Sequence, residues 1–170
     1  MMTIVGLNHA VLFVRDAQRS AAFYREVLGF EVVHEVSGGV FLRAAGSPND
    51  HDLALFGIGE QAGASAAGRA TVGLYHLAWE VRTLGALREY ARRLSERGAL
   101  VGASDHHSTK GLYAKDPDGL ELELTWVVPP ELLEGEAPAT ATIRPLDLAA
   151  EIARFGADTP GAATRPVPAS

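Results

Sequence analysis

The same order of elements occurs twice in this chain, and that duplication limits the fold more than any other feature. Residues 5–14 read VGLNHAVLFV, with the length, β-branched content and alternation of a strand. Asp16 follows and can cap a helix. Ala17, Ala21, Tyr24 and Leu28 then recur at helical spacing, and Gly29 stands where a left-handed terminal residue is expected. Strand-like runs over Glu31–Val36, Val40–Ala45 and Asp52–Gly57 complete the first repeat, with Gly- and Pro-bearing turns between them. After a Gly- and Ala-rich linker from Glu60 to Gly73, the order restarts. Leu74–Val81 predicts a strand, and Thr83 caps a helix bearing Leu84, Leu87, Tyr90, Ala91 and Leu94 that Gly98 ends. Strands follow over Ala99–Ala103, Leu112–Lys115 and Leu120–Val128, with the turn Asp116-Pro117-Asp118-Gly119 before the last.

Each repeat is too small to bury a sizeable core alone, so the two are expected to pack in one domain. The reading is an α+β fold: two βαβββ modules, about 5–57 and 74–127, in a domain over 1–128. Residues 129–170 read as a Pro- and Ala-rich tail. Leu148, Ile152 and Phe155 could line one face of a short helix in it, and residues from about Ala157 onward are expected to be disordered.

Composition removes several function classes. Fifteen Lys and Arg against 21 Asp and Glu leave a net charge of −6, which offers no general attraction to nucleic acid or anionic lipid. Arg88, Arg92, Arg93 and Arg97 gather on the second helix, but Glu89 and Glu96 intersperse, as on a solvated face. No apolar run approaches the ~20 residues that span a bilayer, and no secretory signal opens the chain, so a cytoplasmic location is expected. Cysteine is absent, which excludes thiolate ligands, disulfides and cysteine nucleophiles. A metal site must therefore be built from the six His and from carboxylates.

His9 and His76 occupy equivalent places in the two first strands. A single strand histidine is ordinarily a packed structural residue. Two at matching positions of a duplication can converge on one centre. A divalent metal also calls for a carboxylate. The last strand offers Glu121 and Glu123 on one face with Thr125, opposite Leu120, Leu122, Leu124 and Trp126. Periodicity does not choose between the two acids.

These features resemble the vicinal oxygen chelate (glyoxalase/bleomycin resistance/dioxygenase) superfamily, most of all its type I extradiol ring-cleaving dioxygenases. The resemblance covers about Val5 to Val127. Asn8-His9-Ala10 and Tyr75-His76-Leu77-Ala78 are similar to the two metal-histidine strands, and the Asp116–Glu123 run is similar to the family turn whose ligand is the Glu four residues after Gly. The resemblance thus implies His9, His76 and Glu123 as metal ligands in an open, barrel-like cleft. His51-Asp52-Leu53-Ala54-Leu55 resembles a dioxygenase segment whose His is the acid–base catalyst, which implies that role for His51. Asp105-His106-His107 through Leu112-Tyr113 resembles a DHGxxxxLY segment and implies His106 and Tyr113 at the substrate. His107 stands where Gly is usual, which leaves the choice between His106 and His107 open; His34 has no assigned role.

The implied reaction is ring opening of a catechol-type aromatic diol by O2 with Fe(II), or with Mn(II) or another divalent metal, in a homodimer. The alternatives are a glyoxalase I-like lyase or isomerase, and a non-enzymatic binder of antibiotics or other aromatic ligands. The lyase relatives usually carry a further carboxylate in the last strand of the first repeat. Carrying the His9-to-His76 spacing back from Glu123 lands on Phe56, among the apolar Leu53, Ala54 and Leu55.

Overall fold

The computed structural model describes residues 4, 6–68, 70–133 and 143–162. Val5, with which the first expected strand begins, and the tail residues 134–142 and 163–170 lie outside them. The chain forms two compact units. Unit 1 is Met1–Ala66 with Asp116–Gly119, and unit 2 is Ala67–Lys115 with Leu120–Ser170.

In unit 1, β1 (Ala10–Val14), α1 (Ala17–Leu28), β2 (Glu31–Val36), β3 (Gly39–Arg43) and β4 (Leu53–Gly57) follow in order. The sheet runs β1-β4-β3-β2, with β1 parallel to β4 and the other pairs antiparallel. Asp16 caps α1 as expected, its carboxylate accepting from Gln18 N and Arg19 N. Such a cap contributes about 1 kcal/mol. Gly29 ends the helix at φ 77°, a conformation in which a Cβ would be strained. The core lies between α1 and one face of the sheet, where Leu12, Val14, Val40, Leu42, Leu53 and Leu55 meet Ala21, Tyr24, Val27 and Leu28, all buried.

The Asp116–Gly119 turn joins two strands of the second repeat yet belongs to unit 1. Asp118 accepts from Arg15 N (2.9 Å) and Arg15 Nη1 (2.9 Å), and from Arg19 Nη2 (2.8 Å). Burial by itself would raise the Asp118 pKa, but the hydrogen bonds of Arg15 and the charges of Arg19 and Arg15 outweigh it and hold the carboxyl below its ordinary range.

In unit 2, β5 (His76–Glu80), α2 (Leu84–Glu96), β6 (Leu100–Asp105), β7 (Thr109–Lys115) and β8 (Glu121–Val127) repeat the plan. Here β5 is parallel to β8, and β8-β7-β6 are antiparallel. A register shift falls at Leu100/Gly102 in the β6–β7 pair, as one falls at Val32/His34 in β2–β3. The duplication therefore extends to the irregularities of the sheets. Thr83 caps α2 through Ala86 N, and Arg92 and Arg93 pair with Glu89 and Glu96 along its solvated side.

The chain between Ile143 and Gly161 packs on the second repeat. β9 (Arg144–Pro145) adds an edge strand to β6, and α3 (Leu148–Phe155) carries the expected stripe. Phe155 packs on Trp126 with ring centroids 5.6 Å apart. The expectation of disorder from Ala157 onward does not hold for Ala157–Gly161. Gly85 N donates to Ala157 O, Trp126 Nε1 to Thr159 O, and Gly161 N to Arg82 O. Backbone donors and carbonyls, which composition does not reveal, fasten that stretch. Among the described residues, no helix is long and apolar enough to cross a membrane.

Candidate active site

His9 lies one residue before β1, rather than inside the strand, and is exposed. The parallel pairing of β1 with β4 sets Ala10 opposite Leu53 and lets Ala10 N donate to Asp52 O, so the residues just ahead of both strands come together. The rings of His9 and His51 stand 4.5 Å apart. Asp50 Oδ2 lies 3.0 Å from His51 Nδ1, which leaves Nε2 as the nitrogen to exchange a proton. His51 is edge-on to Phe41 at 5.2 Å, and Phe41 also meets Phe56 and His34. His34, without a role in the sequence, thus lies on the aromatic side of this sheet.

A buried Asp52 organises the approach to β4. It accepts from Ala44 N, Ser47 Oγ and Asn49 Nδ2, and that same amide nitrogen donates to Asn8 O beside His9. In the sequence, Asp52 opens an expected strand and belongs to the His51–Leu55 motif. Its place directly before an apolar strand, where an unpartnered acid would be costly, was the available signal.

In unit 2, the β5–β8 pairing brings His76 to Glu123, with Nε2 and Oε2 3.2 Å apart. Of the two acids that periodicity left open, Glu123 is 9% exposed and Glu121 is half-buried. Gly111 makes the space: a Cβ there would run into Glu123 Oε1. The expected strand begins at Leu112; the structure starts β7 at Thr109 and so takes Gly111 into the strand, where a glycine often marks close approach of a neighbour.

Tyr113 sits across from Glu123 in the β7–β8 ladder. Its hydroxyl is 2.8 Å from His106 Nε2. Burial, the Glu123 charge, the neighbouring Tyr75 and a hydrogen bond with Glu123 push the Tyr113 pKa up to about 12. The phenol therefore stays a proton donor through the physiological range. His106, rather than His107, is the histidine on Tyr113, while His107 forms the corner of the turn at φ 68°. That value is the left-handed region, which accounts for glycine at this place in the motif that the chain resembles.

The six candidates thus fall in two sets. His9 and His51 meet in unit 1; His76, Glu123, Tyr113 and His106 meet in unit 2. Among the described residues, no three His, Asp or Glu side chains form one metal-binding group. The His76–Glu123 pair nevertheless fits a divalent cation. Two donors on adjacent corners of an octahedron with ~2.1 Å bonds are about 3 Å apart, close to the observed 3.2 Å. His76 Nδ1 is buried and finds no hydrogen-bond partner, so the ring meets a polar group only through Nε2.

Register also relocates the first-repeat equivalent of Glu123. Ala78 pairs with Glu123 and Val11 pairs with Ala54. Ala54, rather than Phe56, therefore takes the place of Glu123, because the second repeat is longer between its first and last strands. The residue is apolar in either case, and Ala54 is 1% exposed.

Residues 6–124 match the family model described as Glyoxalase/Bleomycin resistance protein/Dioxygenase superfamily. The biphenyl-2,3-diol 1,2-dioxygenase 3 of Rhodococcus globerulus is 34% identical over 146 residues, covering 82% of this chain and 75% of that protein. The catechol-2,3-dioxygenase of Bacillus subtilis (strain 168) is 32% identical over 119 residues, which are 69% of this chain but only 40% of that protein. A crystal structure of a glyoxylase/bleomycin resistance protein/dioxygenase domain from Frankia sp. EAN1pec superposes with a TM-score of 0.60 at 22% identity, covering 79% of this chain and 96% of that one.

Proposed function

This chain belongs to the Glyoxalase/Bleomycin resistance protein/Dioxygenase superfamily, and from that premise we propose that it is a metal-dependent extradiol dioxygenase that opens a catechol-type aromatic diol with O2. The observation that carries this reading is the buried Glu123 carboxylate, set between the His76 imidazole and the Tyr113 phenol. Relatives named as dioxygenases of catechol and of biphenyl-2,3-diol support it.

His76 and Glu123 would hold the metal, and the family resemblance implies His9 as a third ligand. Fe(II) is the preferred ion and Mn(II) the second choice, because two imidazoles and one carboxylate suit both. A bound metal of this kind supplies Lewis-acid and redox chemistry between an electron-rich diol and O2. The remaining work falls to side chains of this chain. Tyr113, kept protonated, donates a hydrogen bond to a substrate oxygen. With Nε2 protonated, His106 donates to the Tyr113 oxygen, which leaves the phenol proton free for the substrate. His51 takes a diol proton at Nε2 and later gives it back, its ring held in place by Asp50 on Nδ1.

A glyoxalase-type lyase would want a carboxylate in the last strand of the first repeat, where this chain has Ala54. The test is direct. The protein is loaded anaerobically with Fe(II) and, separately, with Mn(II), then given a panel of catechols in air. Oxygen uptake with a yellow ring-opened product is expected from at least one substrate. No turnover by metal-loaded protein across the panel would sink the reading. A His76→Ala variant that still binds its aromatic ligand tightly would point to a sequestering protein.

A further inference from the structure

Lys110 is buried to 1% exposure on β7, on the helix-covered side of the sheet, one residue from the glycine that makes room for Glu123. Its ammonium lies 2.5 Å from Asp105 Oδ1 and 3.0 Å from Glu151 Oε2 on α3, and stands 5.8 Å over the Phe155 ring. The Glu151 contact is an ion pair by distance and off-angle for a hydrogen bond. Taking an ammonium out of water is expensive, and an apolar side chain would pack this place at lower cost. A stability role alone is therefore a poor account of a lysine here.

The partner of Lys110 leads to the active site. The same Asp105 Oδ1 accepts from His107 N at 2.8 Å. Among the described residues, His107 is the non-glycine residue in the left-handed region, a conformation that persists only when its surroundings enforce it. The corner it makes carries His106, whose backbone closes on Thr109 and whose ring meets Tyr113. The C-terminal segment grips the same point from outside, because Arg144 on β9 pairs with Asp105. Burial alone would raise the Asp105 pKa, yet the Lys110 and His107 hydrogen bonds, with the charges of Lys110 and Arg144, lower it.

From this arrangement, we propose that Lys110 is a positioning residue: through Asp105 it locks the His107 corner and thereby aims His106 Nε2 at the Tyr113 hydroxyl. Glu151 and Phe155 of α3 keep the ammonium dry and directed. The functional value of that aim rests on the dioxygenase reading; the aim itself does not.

The experiment uses the full chain labelled with 15N in histidine, as wild type, Lys110→Met, Lys110→Arg and Asp105→Asn. Lys110→Met is expected to move the His106 Nε2 resonance most of the way toward that of a free imidazole, and Lys110→Arg to restore it. Asp105→Asn, which keeps an acceptor for His107 N, is expected to move it in the same direction and decides the matter if Lys110→Met does not fold. On a catechol that wild type turns over, kcat of Lys110→Met should fall roughly tenfold with KM within about twofold, as expected for misdirection of a reacting group. An unchanged His106 resonance in a folded variant that merely melts earlier would overturn the proposal. If the metal-loaded wild type turns over no catechol, the dioxygenase reading fails, and the resonance still decides the role of Lys110.

Discussion

The two repeats share a scaffold and differ in the side chains of the candidate site. Each has a parallel first and last strand, a side-chain-capped helix and a bulge in the same antiparallel pair. At one register position, the first repeat pairs Phe41 with Ala54, and the second pairs Tyr113 with Glu123. Hydroxyl and carboxylate occur together in one repeat and are missing together in the other. Two residues before each aromatic side chain stands a glycine, Gly39 or Gly111, and a Cβ at either would collide with the facing strand. The difference teaches that a buried carboxylate is tolerated as part of a set: a phenol beside it, an imidazole across from it and an empty place where a Cβ would be. Without the acid, the same scaffold carries an aromatic surface with His51 and His34 at its edge.

Making the second repeat like the first should have the largest effect. The double variant Glu123→Ala, Tyr113→Phe is expected to fold, as the first repeat does with that pair, and to lose metal and more than about 10³-fold in turnover. Metal analysis and oxygen uptake measure both. Retained metal stoichiometry would remove Glu123 from the ligand set.

Making the first repeat like the second should cost stability. Ala54→Glu introduces an acid at a position 1% exposed, and about 3 kcal/mol or more of destabilisation is expected in denaturant titration. Adding Phe41→Tyr should recover part of it. A double variant no more stable than the single one would mean that phenol and carboxylate are not coupled in this scaffold.

A smaller effect is expected at the turn from the second repeat that belongs to unit 1. Asp118→Asn should destabilise by about 1–2 kcal/mol at pH 7, because Arg15 and Arg19 are partly exposed. The sign with pH follows from the lowered pKa of Asp118. Its contribution is fully present above the ordinary carboxylate range and is lost as pH falls through the depressed value. Acid unfolding followed by circular dichroism should therefore be shallower in Asp118→Asn below about pH 4. Equal acid slopes would assign the acid sensitivity to other carboxylates, Asp105 first among them.

The smallest effect belongs to the corner peculiar to the second repeat. His107→Gly should raise stability by at most about 1 kcal/mol, the relief of positive φ being offset by the added freedom of the unfolded chain. A clear loss, read from the melting temperature, would show that the imidazole makes a contact worth more than the strain.

Much of this was legible in the sequence because it is local. Strand alternation, the Asp16 and Thr83 caps and the Asp116–Gly119 turn depend on neighbours within a few residues, and the elements came out within a few residues of where the pattern predicts them. The duplication and the candidate histidines follow from order and spacing. The departures are non-local. His9 lies ahead of its strand rather than in it. The tail from Ala157 to Gly161 is held by backbone partners far away in the chain. Lys110 lies ahead of the expected strand Leu112–Lys115 and shows no role until the ion pair with α3 is seen.

Order and spacing along the chain establish the repeat, its strand and helix order, and a supply of ligands restricted to imidazole and carboxylate. Periodicity reports which side chains share a face, but not what covers that face. It takes packing between strands to bury Glu123 rather than Glu121 against a histidine, to make Ala54 its counterpart, and to set His106 rather than His107 on Tyr113. Strand register and burial belong to pairs of segments, and no single segment encodes them.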